Sequence, residues 1–119
     1  MNWLIVSALF GASSILTGAF GAHGLANKVD ANQLAAWKTA AVYQLVHALV
    51  LLALALFAKA TGKSITLPAS LVSLGILFFS GSIYGLVLGG PKLLGPITPI
   101  GGLLLCAGWV SMIFWSKGL

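Results

Sequence analysis

The sequence predicts an all-α integral membrane protein, a four-helix bundle that makes one polytopic transmembrane domain of residues 1–119. Three observations carry this expectation. Hydrophobic residues make up 60% of the chain and charged residues 6%, with a mean hydropathy of +1.09, whereas soluble domains carry about 25% charged residues. Four apolar stretches, at about 2–22, 33–58, 68–89 and 98–116, are each long enough to cross ~30 Å of hydrocarbon. None alternates as a barrel strand would, and a spanning segment must satisfy its own backbone, so each stretch reads as a helix.

The first stretch, from Asn2 to Ala22, carries no charge. Ala19-Phe20-Gly21 is a passable cleavage signal, but no Lys or Arg precedes the run and the run is too long for a signal core. It therefore reads as a spanning helix. Asp30-Ala31-Asn32-Gln33 fits a capping box and starts the second helix about a turn before the membrane. That helix would run near 28 residues, or about 42 Å. Thr66 or Leu67 followed by Pro68 opens the third helix, and Gly89-Gly90-Pro91 closes it, since Pro91 cannot continue the ladder. Thr98-Pro99 is expected to open the fourth, with Pro99 at the first helical position. Trp3, Trp37 and Trp115 fall near the expected ends and suit the aromatic belts, while Trp109 lies deeper and its N–H needs a partner.

Charge excludes one function class. All six cations are lysine and Asp30 is the only acid. With no arginine fork, basic cluster or aromatic-basic interleaving, the +5 charge does not point to nucleic acid. Lys59, Lys63 and Lys117 share the side of both termini, and Lys28, Lys38 and Lys92 the other. This is a tie under the positive-inside rule. The amino terminus and Asp30 tip the expectation toward both termini in the cytoplasm. The single Cys106, inside an apolar run and read as buried, rules out an intrachain disulfide or a thiolate metal site. No metal ligand set and no cofactor motif is found. No internal repeat supports an inverted-repeat transporter.

Small residues recur at helical spacing. Ser7, Gly11, Ser14, Gly18 and Gly21 follow steps of 4, 3, 4 and 3; Gly81, Gly85 and Gly89 follow steps of four; Gly101 and Gly108 are a heptad apart. In lipid, helices associate through close backbone contact, which small residues allow. The seams either hold the bundle together or serve a homo-oligomer.

Polar side chains gather in one leaflet, under the two loops on the side away from the termini. At 1.5 Å per residue, Ser13, Ser14 and Thr17 lie about 8 to 13 Å deep, Gln44 and His47 about 10 to 15 Å, and Ser80, Ser82 and Tyr84 about 8 to 15 Å. The far half of the second helix, LVLLALALFA, has no polar side chain. Gln44 and His47 are three apart and share a face, Tyr43 and His47 are four apart, and Ser73, Ser80 and Tyr84 form a stripe. Such groups are expected to face one another or a hydrated pocket. They are either interhelical hydrogen-bonding glue or a small polar site. His23, between Gly21 and Gly24, is either a ring at a helix end where glycines turn the chain or a gate over the polar leaflet. The candidate site is thus His23, Tyr43, Gln44, His47, Ser80, Tyr84 and Thr98.

Catalytic machinery is missing. There is no carboxylate pair, no Ser-His-Asp set that avoids pulling Asp30 into the membrane, and no phosphate-binding glycine loop. The chain is therefore not expected to be an enzyme.

FGAHGL (20–25), AAWKTAAVYQLVHALVLL (35–52), FFSGSIYGL (78–86) and LGPITPIGG (94–102) together resemble the YgdD/YwdK family of small membrane proteins of unknown function. The resemblance covers nearly the whole chain. It implies four transmembrane helices and the bacterial inner membrane, and brings no reaction or substrate. Its motif positions are His23, Tyr43, Gln44, His47, Ser80, Tyr84, Pro96, Thr98 and Pro99. The expected function is a homo-oligomeric scaffold or accessory protein that binds membrane lipid or a membrane-protein partner through its glycine seams. The alternative is a minimal channel or transporter through a Gln44, His47 and Tyr84 layer. A membrane enzyme acting on lipid would need a groove beside His23.

Overall fold

A computed structural model describes residues 1–116. Lys117, assigned to the side of the termini, lies outside the described residues. The chain forms α1 (Trp3–Phe20), extended by a wide π-helical turn over Gly21–Leu25, then α2 (Ala31–Thr61), α3 (Thr66–Val87) and α4 (Leu94–Ser116). All four are long and apolar enough to cross a membrane, and no strand occurs among the described residues.

The helix ends follow local chemistry. The Asp30 side chain accepts from Gln33 N–H while the Gln33 side chain accepts from Asp30 N–H, completing the capping box. α2 then runs 31 residues, about 46 Å at 1.5 Å per residue, so it outreaches the hydrocarbon. It ends on Gly62, whose φ of 72° only glycine adopts without strain. α3 closes on Gly89 (φ 90°), with Gly90 N–H donating to Gly85 O at 2.7 Å and Gly89 N–H to Leu86 O at 3.1 Å. These two bonds make a Schellman end.

Two boundaries differ from expectation. α4 begins at Leu94, not at Thr98, because the Pro91–Gly95 turn winds straight into it through Leu94 N–H to Pro91 O and Gly95 N–H to Lys92 O. Pro96 then falls in the first turn, where an N–H has no intrahelical partner to lose. Pro99 lies inside the helix, one turn later. Gly21 does not turn the chain either: at φ −60° and ψ −44° it is helical. Its missing side chain instead admits Trp37, since a Cβ there would lie 2.6 Å from the indole Cδ1. Trp37 is accordingly buried at 3% exposure rather than set in an aromatic belt.

α2 and α3 form the centre, α1 packs mainly on α2, and α4 packs on α3. In the leaflet near the termini the space between helices is filled by Leu51, Leu54, Ile65, Ala69, Val72, Ile76 and Leu105. The α3–α4 contact is the closest. A Cβ on Gly75 would lie 2.8 Å from the Leu105 backbone nitrogen, one on Gly108 would lie 2.7 Å from Val72 Cγ2, and one on Gly101 would enter the Phe78–Phe79 backbone. Gly75 was not among the residues expected to pack. Gly85 meets only the end of Leu94. Gly81 is exposed with open space at its Cβ position and Gly89 belongs to the turn, so the Gly81–Gly89 spacing is not a seam within the chain. On α1, Ser7 and Ser14 are buried and Gly11 faces Ala48, but Gly18 meets open space.

Candidate functional site

The polar residues of the half of the bundle away from the termini separate into three hydrogen-bonded groups. The first lies between α1, α2 and α3. The Phe10 carbonyl can only accept, so the amide nitrogen of Gln44 must face it. Gln44 Nε2 donates to Phe10 O at 2.9 Å and to Ser13 Oγ at 2.6 Å. Tyr84 Oη donates to Gln44 Oε1 at 2.7 Å and lies 3.1 Å from Thr17 Oγ1. Trp37 Nε1 donates to Thr17 O at 2.7 Å, and its ring sits 4.6 Å from that of Tyr84. Ser80 Oγ, fully buried, ties α3 to α2 through Ala40 O at 2.8 Å. The helix positions explain the convergence: Ser13 and Thr17 are one turn apart on α1, and so are Ser80 and Tyr84 on α3.

The second group lies on the α4 side. His47 Nδ1 is 2.7 Å from Tyr43 O, and Trp109 Nε1 donates to His47 Nε2 at 3.1 Å. A carbonyl only accepts and an indole N–H only donates, so the neutral ring with its hydrogen on Nδ1 satisfies both. Tyr43 is 45% exposed and stacks on Phe79, with centroids 5.0 Å apart. The partner that Trp109 needs is therefore His47. Gln44 and His47 share a helix face in sequence, yet they serve opposite neighbours. One turn of helix covers both directions when α1 and α4 flank α2 on different sides.

The third group is the α3–α4 pair Ser82 Oγ and Thr98 Oγ1, 2.5 Å apart. His23 joins none of these groups and is exposed on the π-helical turn. Cys106 is exposed on α4 rather than buried, since an apolar run fixes depth in lipid but not which face meets it. No group of His, Cys, Asp or Glu able to hold a metal occurs among the described residues.

All three groups border cavities: Trp109 lines one of about 330 Å³ between α2 and α4, Ser82 one of about 290 Å³ between α3 and α4, and the first group places most of its members around a third. A cleft of about 260 Å³ opens between α1 and α3 and is lined by Phe10, Ser13, Thr17, Gln44, Ser80 and Tyr84, with Gly81 at its edge. It runs no further toward the termini than Ile76, part of the apolar fill. A larger groove of about 580 Å³ lies at the loop end, against Asn32, Gln33, Val87, Thr98 and Pro99. His23 lines neither. Sequence reasoning reached Gln44, Tyr84, Ser80 and Thr17, but not the Phe10 carbonyl or Trp37. A backbone acceptor leaves no mark in a sequence, and Trp37 resembled a belt residue. Its one signal was the small Gly21 across the loop.

Comparison with known proteins agrees with this architecture. The family model described as a protein of unknown function (DUF423) matches residues 17–102, which include all of the polar groups of α2 and α3. A UPF0382 membrane protein of Staphylococcus aureus is 43% identical over 111 residues, covering 93% of this chain and 91% of the relative. UPF0382 membrane proteins of Staphylococcus saprophyticus and Staphylococcus haemolyticus are each 42% identical, covering 93% of this chain and 92% and 91% of themselves. No solved structure matches. With four helices able to span a bilayer and relatives alike along almost their whole length, the chain belongs to the UPF0382 (DUF423) family of uncharacterised membrane proteins.

Proposed function

We propose that this protein is a small non-enzymatic accessory protein that holds a lipid-like molecule in the cleft between α1 and α3. The observation that carries this reading is the cleft itself: hydrogen-bonding atoms of Ser13, Thr17, Gln44 and Tyr84 in an otherwise apolar wall, open at Gly81. Pockets for small molecules have this composition, a mostly apolar lining with a few placed polar groups. The ligand is placed in the cleft and not on the glycine seams, because Gly101 and Gly108, like Gly75, pack within the chain. The test is mass spectrometry of the protein released intact from its membrane. The wild type should retain a lipid that Gly81→Leu loses; equal retention by both would refute the reading.

The channel alternative is disfavoured by the packing. His47 is bonded at both ring nitrogens, and fully buried Leu51 and Val72 fill the leaflet below. In liposomes we expect no proton flux, and His47→Ala should lower thermal stability instead. Flux that vanishes in His47→Ala would restore the channel.

The same reading places the chain in the inner (plasma) membrane with both termini cytoplasmic. Relatives named membrane proteins and four helices able to span a bilayer support the membrane, and the place of Asp30 beside the opposite loop supports the orientation. Lys63→Cys and Lys92→Cys, each in a Cys106→Ser background, should label from opposite sides, Lys63→Cys from the cytoplasm. A homo-oligomer, or an unidentified membrane partner, would use the close-packing surface left at Gly18; cross-linking in native membranes tests for either.

A further inference from the structure

Counting protons in the first group defines what the cleft can hold. Both Gln44 Nε2 protons are spent, on Phe10 O and Ser13 Oγ. The Tyr84 proton goes to Gln44 Oε1 and the Ser13 proton to Phe10 O at 3.2 Å. The Ser80 proton goes to Ala40 O. Thr17 has one proton and two acceptors in reach, Tyr84 Oη at 3.1 Å and its own-helix Ser14 O at 3.0 Å, so it too is spent inside the protein. Hydroxyl and amide oxygens each carry two lone pairs, and at least one remains on Gln44 Oε1, Tyr84 Oη, Thr17 Oγ1 and Ser13 Oγ. In this arrangement the polar protons of the wall are engaged inside the protein, and what it offers a ligand is lone pairs. Ser73 Oγ is buried without a partner two turns from Ser80 on α3, but it does not line the cleft.

We infer that the cleft selects a neutral lipid alcohol, an apolar chain whose hydroxyl donates to the Gln44–Tyr84–Thr17 oxygens; this rests on the lipid-binding reading above. A phosphate or carboxylate would find neither a donor nor a cation in the wall, and its lone pairs would face lone pairs. An ammonium would be stripped of water with no carboxylate to meet it, since Asp30 is exposed and engaged at the α2 cap. An ether or ester has no proton to offer. The volume of about 260 Å³ suits a headgroup and the first part of a chain, the remainder lying in the bilayer.

The test uses the full chain in nanodiscs of zwitterionic phospholipid, with a 16-carbon alcohol bearing a mid-chain diazirine as photoprobe. Labelled peptides are mapped, and unlabelled hexadecanol, its methyl ether and hexadecane compete. We expect label on α1 and α3 around Phe10 and Leu77, with hexadecanol displacing it about fivefold better than the ether, the worth of one net hydrogen bond. Gly81→Leu, whose added side chain starts in open space and so leaves the fold intact, should lose the label. Displacement by ether and alkane as strong as by alcohol overturns the donor requirement while leaving lipid binding in place. Absence of label from the cleft overturns both.

Discussion

Helix α4 meets α3 backbone to backbone, whereas α1 meets α2 and α3 through side-chain hydrogen bonds. Along α3–α4 the contact is made by what is absent: Gly75, Gly101 and Gly108 have no side chain, and neighbouring atoms occupy the place of one. Along α1 the contact is made by Ser13, Thr17, Gln44, Trp37 and Tyr84, and a cleft is left open beside them. Lipid tails are as apolar as leucine, so neither interface gains from excluding water; one gains from dispersion at short range and the other from polar groups that avoid hydrocarbon. The difference teaches where a ligand can enter. At Gly75, Gly101 and Gly108 no room is left, and the α3–α4 grooves of about 290 and 580 Å³ lie beside these contacts, toward the loop end; between α1 and α3 polar side chains bridge the helices and leave the cleft among them.

Five substitutions bear on this contrast, the largest effect first. Gly101→Val forces a side chain into the Phe78–Phe79 backbone and should cost about 3 kcal/mol, the upper end for overpacking, read as loss of the folded form in detergent unfolding. Gln44→Leu removes the acceptor of Tyr84 and the donor to Ser13 and Phe10, and should cost about 1.5 kcal/mol by the same measurement. Combined with Tyr84→Phe, the loss should fall short of the sum of the two single losses, since both remove one network; strict additivity would break the network description. Asp30→Ala removes a cap and should cost about 1 kcal/mol, with fraying of the α2 start seen by hydrogen exchange. Gly81→Ala, in open space, should change stability by less than about 0.5 kcal/mol. A large loss there would mean that α3 packs on something outside the single chain.

Much of the fold was legible from local rules. Asp30 and Gln33 sit at the spacing of a capping box, and Gly89-Gly90 before Pro91 marks a Schellman end. These features act over four or five residues, so sequence order alone reveals them. The start of α4 was not legible, because proline tolerance depends on which turn of the helix holds it, and the Pro91–Gly95 turn decides that. The candidate site was legible as a depth and not as a set of partners. Gln44, His47, Tyr84 and Thr98 were all placed in one leaflet, yet they bond in three separate groups.

The sequence by itself determined the all-helical membrane class, the number of helices and the half of the bundle in which these polar side chains lie, because each follows from hydropathy and a fixed rise per residue. Only the tertiary structure decided that Gln44 turns toward α1 and His47 toward α4, that Trp37 is buried, and that Cys106 faces outward. A helix offers every face at each turn, and in lipid no difference in hydrophobicity tells an inner face from an outer one. The choice is made by which neighbours can approach closely enough to pack or bond.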